Sequence, residues 1–81
     1  MQKNKKIDIG LAVRQKMSEQ GTTIAWLAKK VNIDRSNLRK HLYKEQIYSE
    51  LLLEISVAMK TNFFNIYSDC YSKRVDKINE Q

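Results

Sequence analysis

Between residues 35 and 40 the chain runs Arg-Ser-Asn-Leu-Arg-Lys, and every side chain there except Leu38 can donate a hydrogen bond. Arginine carries a planar fork able to bond O6 and N7 of a guanine together, and asparagine can bond N6 and N7 of an adenine. Arg35, Ser36, Asn37 and Arg39 are therefore candidate base-reading residues, with Arg39 one helical turn beyond Arg35 on the same face. Around them stand side chains suited to phosphate oxygens: Lys40, Tyr43 and Lys44 after them and Lys29 before them. Thr22 and Thr23 open the preceding segment, where backbone N–H groups at a helix start could also hold a phosphate. The plain alternative for the basic residues is a solvated helix face. For Thr23 it is a helix cap, and for Trp26 it is packing, with the indole N–H left to solvent or to a phosphate.

Other chemistries find little support. The single histidine and single cysteine, His41 and Cys70, lie far apart in the chain, and neither neighbours a plausible base. No Cys/His pair has zinc spacing and no glycine-rich loop could cradle a phosphate. The expectation is a chain that is not an enzyme and needs no cofactor, metal or small-molecule ligand, with His41 a half-buried packing residue or a minor nucleic-acid contact. The lone cysteine cannot form an internal disulfide, which suits a reducing cytoplasm. Lys3, Lys5 and Lys6 precede Ile7-Asp8-Ile9-Gly10 rather than an unbroken apolar run, so no signal peptide is expected. No apolar stretch approaches the roughly 20 residues that span a bilayer.

The donor-rich segment needs elements to hold it. With 81 residues, no proline and two glycines, the chain has the composition of one small helical domain and lacks the turn residues of a sheet protein. Ile9, Val13 and Met17 recur every four residues and predict a first helix over about 7–20, ended by Gly21. A second helix is expected over 23–31, capped by Thr22 or Thr23, with Ile24, Leu27, Ala28 and Val31 as its apolar stripe. Asn32-Ile33-Asp34 breaks the pattern: asparagine tolerates the left-handed conformation and Asp34 is a good cap for the next helix. That third helix, about 35–43, has only Leu38 and Leu42 to bury. After a loop over 44–48, a fourth helix capped by Ser49 runs to about Lys60 and forms the centre of the core. A turn at Thr61-Asn62 leads to a short fifth helix carrying Phe63, Phe64, Ile66, Tyr67 and Tyr71.

Charge is distributed unevenly along this plan. The net charge is +6. Residues 21–48 hold six basic and two acidic side chains, whereas residues 49–81 hold four basic and five acidic ones. A polyanion would be drawn to the first part of the chain.

Thr23-Ile24-Ala25-Trp26-Leu27-Ala28-Lys29-Lys30-Val31-Asn32-Ile33-Asp34-Arg35-Ser36-Asn37-Leu38 resembles the Cro/C1-type, phage-repressor-like helix-turn-helix family. Leu27-Ala28 matches that family's Leu-Ala pair, Asn32-Ile33-Asp34 its turn with Asn in place of Gly, and Leu38 the apolar residue that locks the recognition helix. The chain departs from the pattern at Tyr43-Lys44-Glu45-Gln46, where Glu-x-Gly is frequent, and at Ile24 or Ala25, where a phosphate-binding Gln often stands. The resemblance covers about 7–71. It implies an all-α, compact five-helix bundle of the lambda-repressor-like type, with a flexible basic arm over 1–6. A polar C-terminal tail over 72–81 would either fray or extend the last helix. It also implies sequence-specific binding of double-stranded DNA by a transcriptional regulator, in the first instance a repressor, acting in the cytoplasm as a homodimer on half-sites. The expected dimer interface is the fifth helix, with Phe63, Phe64, Tyr67 and Tyr71. The rival reading is a protein-interaction module on the same fold, antitoxin-like or binding a phage partner.

Overall fold

Asp8 sets the start of the first helix: its carboxylate accepts the Leu11 N–H at 3.0 Å, and α1 (Ile9–Gln20) begins one residue later. The computed structural model describes residues 6–79, so Lys3 and Lys5 of the expected arm and residues 80–81 of the tail lie outside the described residues. Ile9, Val13 and Met17 form the buried face of α1, as their spacing predicts. Gly21 ends the helix at φ 71°, a left-handed turn that glycine makes without steric cost. Thr23 caps α2 (Ile24–Val31) through its hydroxyl, and Asn32 closes it at φ 59°. Asp34 caps α3 (Arg35–Leu42) by accepting the Asn37 N–H at 3.2 Å.

The fourth and fifth helices differ from expectation at their ends. Ser49 is the first helical residue of α4 (Ser49–Met59), not its cap; Tyr48 holds the cap position without a side-chain bond. Phe63 and Phe64 both lie in the turn before the last helix rather than in it. Asn62 Oδ1 accepts the Phe64 N–H at 3.0 Å, and this local bond holds the chain in a turn before α5 starts. α5 (Asn65–Asn79) is longer than the short helix of the apolar residues alone: of the two expectations for the polar segment after Tyr71, fraying or extension, the described part shows extension.

All five elements are helices, with no strand among the described residues, and together they form a small all-α bundle. α2 packs on both α3 and α4, and α1 packs on α3. Ile9, Val13, Leu27, Leu38, Leu42, Leu52 and Ile55 are the most deeply buried side chains. Each contributes roughly 1.5–3 kcal/mol of burial. Ile47 anchors the loop between α3 and α4 in the same core, and Ile33 packs against it from the turn between α2 and α3. Ser56 is the one buried polar residue among those described, and its hydroxyl accepts the Phe63 N–H at 3.4 Å. No described helix is long and apolar enough to cross a membrane.

Candidate nucleic-acid interface

α3 is positioned from beneath by two leucines. Leu38 and Leu42 are fully buried, His41 is half-buried, and the other residues of the helix face outward. Arg35, Ser36, Asn37, Arg39 and Lys40 are all exposed. Asp34, the only acid from residue 32 to residue 44, is occupied as the cap. Among the described residues, no carboxylate pairs with Arg35, Arg39 or Lys40. The outer face of α3 is thus a row of unneutralised cations and donors, desolvated by nothing and free to meet an anion.

The start of α2 lies alongside that row. Thr23, Ile24 and Ala25 from α2 and Arg35, Ser36 and Arg39 from α3 line one open groove of about 680 Å³. Thr23, Arg35, Ser36 and Arg39 are therefore brought together. Thr23 spends its oxygen on the Trp26 N–H, while the first-turn N–H groups of α2 have no partner within the helix. Asn37 is exposed on the same short helix but does not line the groove. Thr22 is less available than its type suggests: it is half-buried and its hydroxyl donates to the Met17 carbonyl at 3.5 Å. Lys29 is exposed on the last turn of α2, outside the groove. Next to it, Lys30 holds its ammonium 5.7 Å from the centre of the exposed Trp26 ring, a cation–π contact.

The far end of α3 is held by residues that reading along the sequence does not single out. Arg14 on α1 donates its Nε–H to the Leu42 carbonyl at 2.9 Å, and its guanidinium lies 4.2 Å from the centre of the Tyr43 ring. One bond satisfies a carbonyl left open at the helix end; the stacking fixes Tyr43, whose ring is otherwise exposed. Gly10 makes this approach possible. A Cβ there would collide with the backbone carbonyl oxygens of Leu42 and Lys44. The Ile9 N–H also donates to the Glu45 carbonyl at 2.8 Å, tying the start of α1 to the chain leaving α3. The signal that could have shown this is the i, i+4 pairing of a small residue with an arginine, Gly10 and Arg14, on the face of α1 beside its apolar stripe. His41 is half-buried and meets the Tyr48 ring edge-on at 5.5 Å, which is a packing role. Lys44 is exposed.

The expected dimer residues divide. Phe63 is 3% exposed and its ring fills the monomer core, so it offers no surface to a second copy. Phe64 is half-buried against that core, whereas Tyr67 and Tyr71 are exposed on α5. Among the described residues, no cluster of histidine, cysteine, aspartate and glutamate could hold a metal ion. No protein-family model matches the chain, and no curated protein or solved structure gives a significant match.

Proposed function

We propose that the chain binds double-stranded DNA sequence-specifically as a cytoplasmic transcriptional regulator, a repressor in the first instance, working as a homodimer without a cofactor. The observation that carries this reading is the division of α3: two leucines buried, and a contiguous outer face of Arg35, Ser36, Asn37, Arg39 and Lys40 with no acid to neutralise it. A helix built only for packing has no need of such a face, and a protein-binding surface is generally depleted of charge at its centre. In this reading α3 enters a major groove with its N-terminal end leading, and Arg35, Ser36, Asn37 and Arg39 read base edges. Lys40, Tyr43 and Lys44 then meet phosphates along one flank, and Thr23 with the start of α2 meets them along the other. Arg14 keeps the C-terminal end of α3 in place without touching DNA. The resemblance to the Cro/C1-type family, carried by residues 23–38, supports the same reading.

The test is binding of the purified protein to the DNA upstream of its own coding sequence, and to scrambled DNA of equal length, across a salt series. Preference for the upstream sequence well beyond tenfold, erased by Arg39→Ala, is the expected result. Equal, weak binding to both DNAs, governed by salt alone, overturns it. That outcome would favour the protein-interaction module.

A further inference from the structure

α4 carries, opposite its core side, a mixed face in which two apolar side chains stand among two carboxylates. Leu51, Leu52, Ile55 and Met59 face the core. Leu53 and Val57, one turn apart, are 51% and 67% exposed. At 3.6 residues per turn, Glu50, Leu53, Glu54 and Val57 share an arc of roughly 100° centred opposite the core side. Leu53 and Val57 form a short apolar strip beside the two carboxylates, and nothing in the described fold covers it. Tyr67 and Tyr71 on α5 are also exposed, but each carries a hydroxyl that water satisfies. Leu53 and Val57 have no polar handle.

The charges around the stripe select its occupant. Glu50 stands at one end of α4 and Lys60 caps the other, both exposed. Residues 50 and 60 are equidistant from position 55, and so are residues 53 and 57. A second α4 laid antiparallel, with a two-fold axis at the level of residue 55, sets Leu53 of each copy against Val57 of the other. The same register sets each Glu50 carboxylate against the second copy's Lys60 ammonium, two opposite pairs, and brings the two exposed Glu54 carboxylates together near the axis, one like pair that opposes part of that attraction. An isologous interface requires this self-complementarity. We infer that a second copy of this chain covers the Leu53–Val57 face of α4, with Glu50 and Lys60 fixing the antiparallel register. α4 packs on α2 rather than on α3, so pairing through its outer face leaves the cationic face of α3 free. The inference rests on the DNA-binding reading only for the use made of two copies; the interface itself is read without DNA.

Sedimentation equilibrium without DNA, over micromolar to millimolar concentrations, tests it. The full chain is expected to shift from one chain mass to two. Leu53→Asp is expected to weaken association by about tenfold or more, because the interface would bury an unpaired charge. Glu50→Lys and Lys60→Glu are each expected to weaken it roughly tenfold, since each sets two like pairs across the axis. Mixing those two variants restores opposite charges at both contacts and should restore association, which a merely destabilised helix would not do. A chain that stays monomeric throughout overturns the inference. So does a dimer indifferent to Leu53→Asp and dissociated by Tyr71→Asp, which would place the second copy on α5, and so does a mixture that fails to recover. Loss of sequence preference on DNA with the dimer intact would instead strike the DNA-binding reading alone.

Discussion

Arg39, like Arg35, is exposed, has no carboxylate partner among the described residues, and lines the groove between the start of α2 and α3. If its fork reads a guanine edge, the charge alone will not replace it. Arg39→Lys keeps the attraction to phosphate but loses the paired donors, so it is expected to cost about 1–3 kcal/mol on the preferred sequence and far less on scrambled DNA. Competition anisotropy with both DNAs separates the two; an equal loss on both would make Arg39 a phosphate contact. Gly10 acts at the same scale but from behind the site. Alanine is favoured over glycine in a helix by about 1 kcal/mol, yet the added Cβ would meet two backbone carbonyl oxygens, which cannot swing aside as a flexible side chain can. Gly10→Ala is therefore expected to be net destabilising, by about 1–3 kcal/mol in urea unfolding. A gain in stability would show that the start of α1 can draw away from the chain leaving α3 without penalty.

At the scale of the element, α3 depends on its cap more than a longer helix would. It has eight residues, two buried side chains and one bond from Asp34 to the Asn37 N–H. Asp34→Ala should lower stability by about 1 kcal/mol. Amide exchange should show the loss concentrated in the first turn of α3, where Arg35 to Asn37 stand; uniform loosening of all five helices would contradict a local role. This element was legible in the sequence because its limits are chemical and local: Asn32 for a left-handed closure, Asp34 for a cap, and leucines four apart for a narrow buried stripe. The core faces of α1, α2 and α4 were legible by the same periodicity. The ends of α4 and α5 were not. Ser49 has the chemistry of a cap, but Tyr48 occupies that position; and the Asn62 side chain takes the Phe64 N–H, so that α5 starts only after Phe64. The polar residues after Tyr71 carry no periodic signal, so their continuation of α5 could not be read from hydrophobic pattern. The Arg14 clamp on Leu42 and Tyr43 joins residues about thirty positions apart, and only the docking of α1 on α3 brings them together.

At the scale of the whole molecule, charge and the α4 stripe have to be considered together. The positive field belongs to the part of the chain that builds α1 to α3, while residues from 49 onward carry a slight acidic excess. Two copies joined through α4 would meet away from the cationic α3 faces, which would remain available to one duplex. Each phosphate neutralised by a lysine or arginine releases condensed counterions, at about 0.9 per contact on duplex DNA. Lys29, Lys40 and Lys44 are exposed on each copy. Two copies bound together would engage six such lysines, so the logarithm of affinity should fall against the logarithm of salt with a slope of about −5. Leu53→Asp, which separates the copies without altering α3, should leave three lysines per binding event and a slope of about −3. Titrations at several salt concentrations with the full chain and this variant measure both slopes. Equal slopes would mean that a single copy makes all the contacts, and that the α4 face serves something other than the approach to DNA. A slope near zero for both would remove the basic face from binding altogether, since no arrangement of exposed lysines on phosphates escapes counterion release.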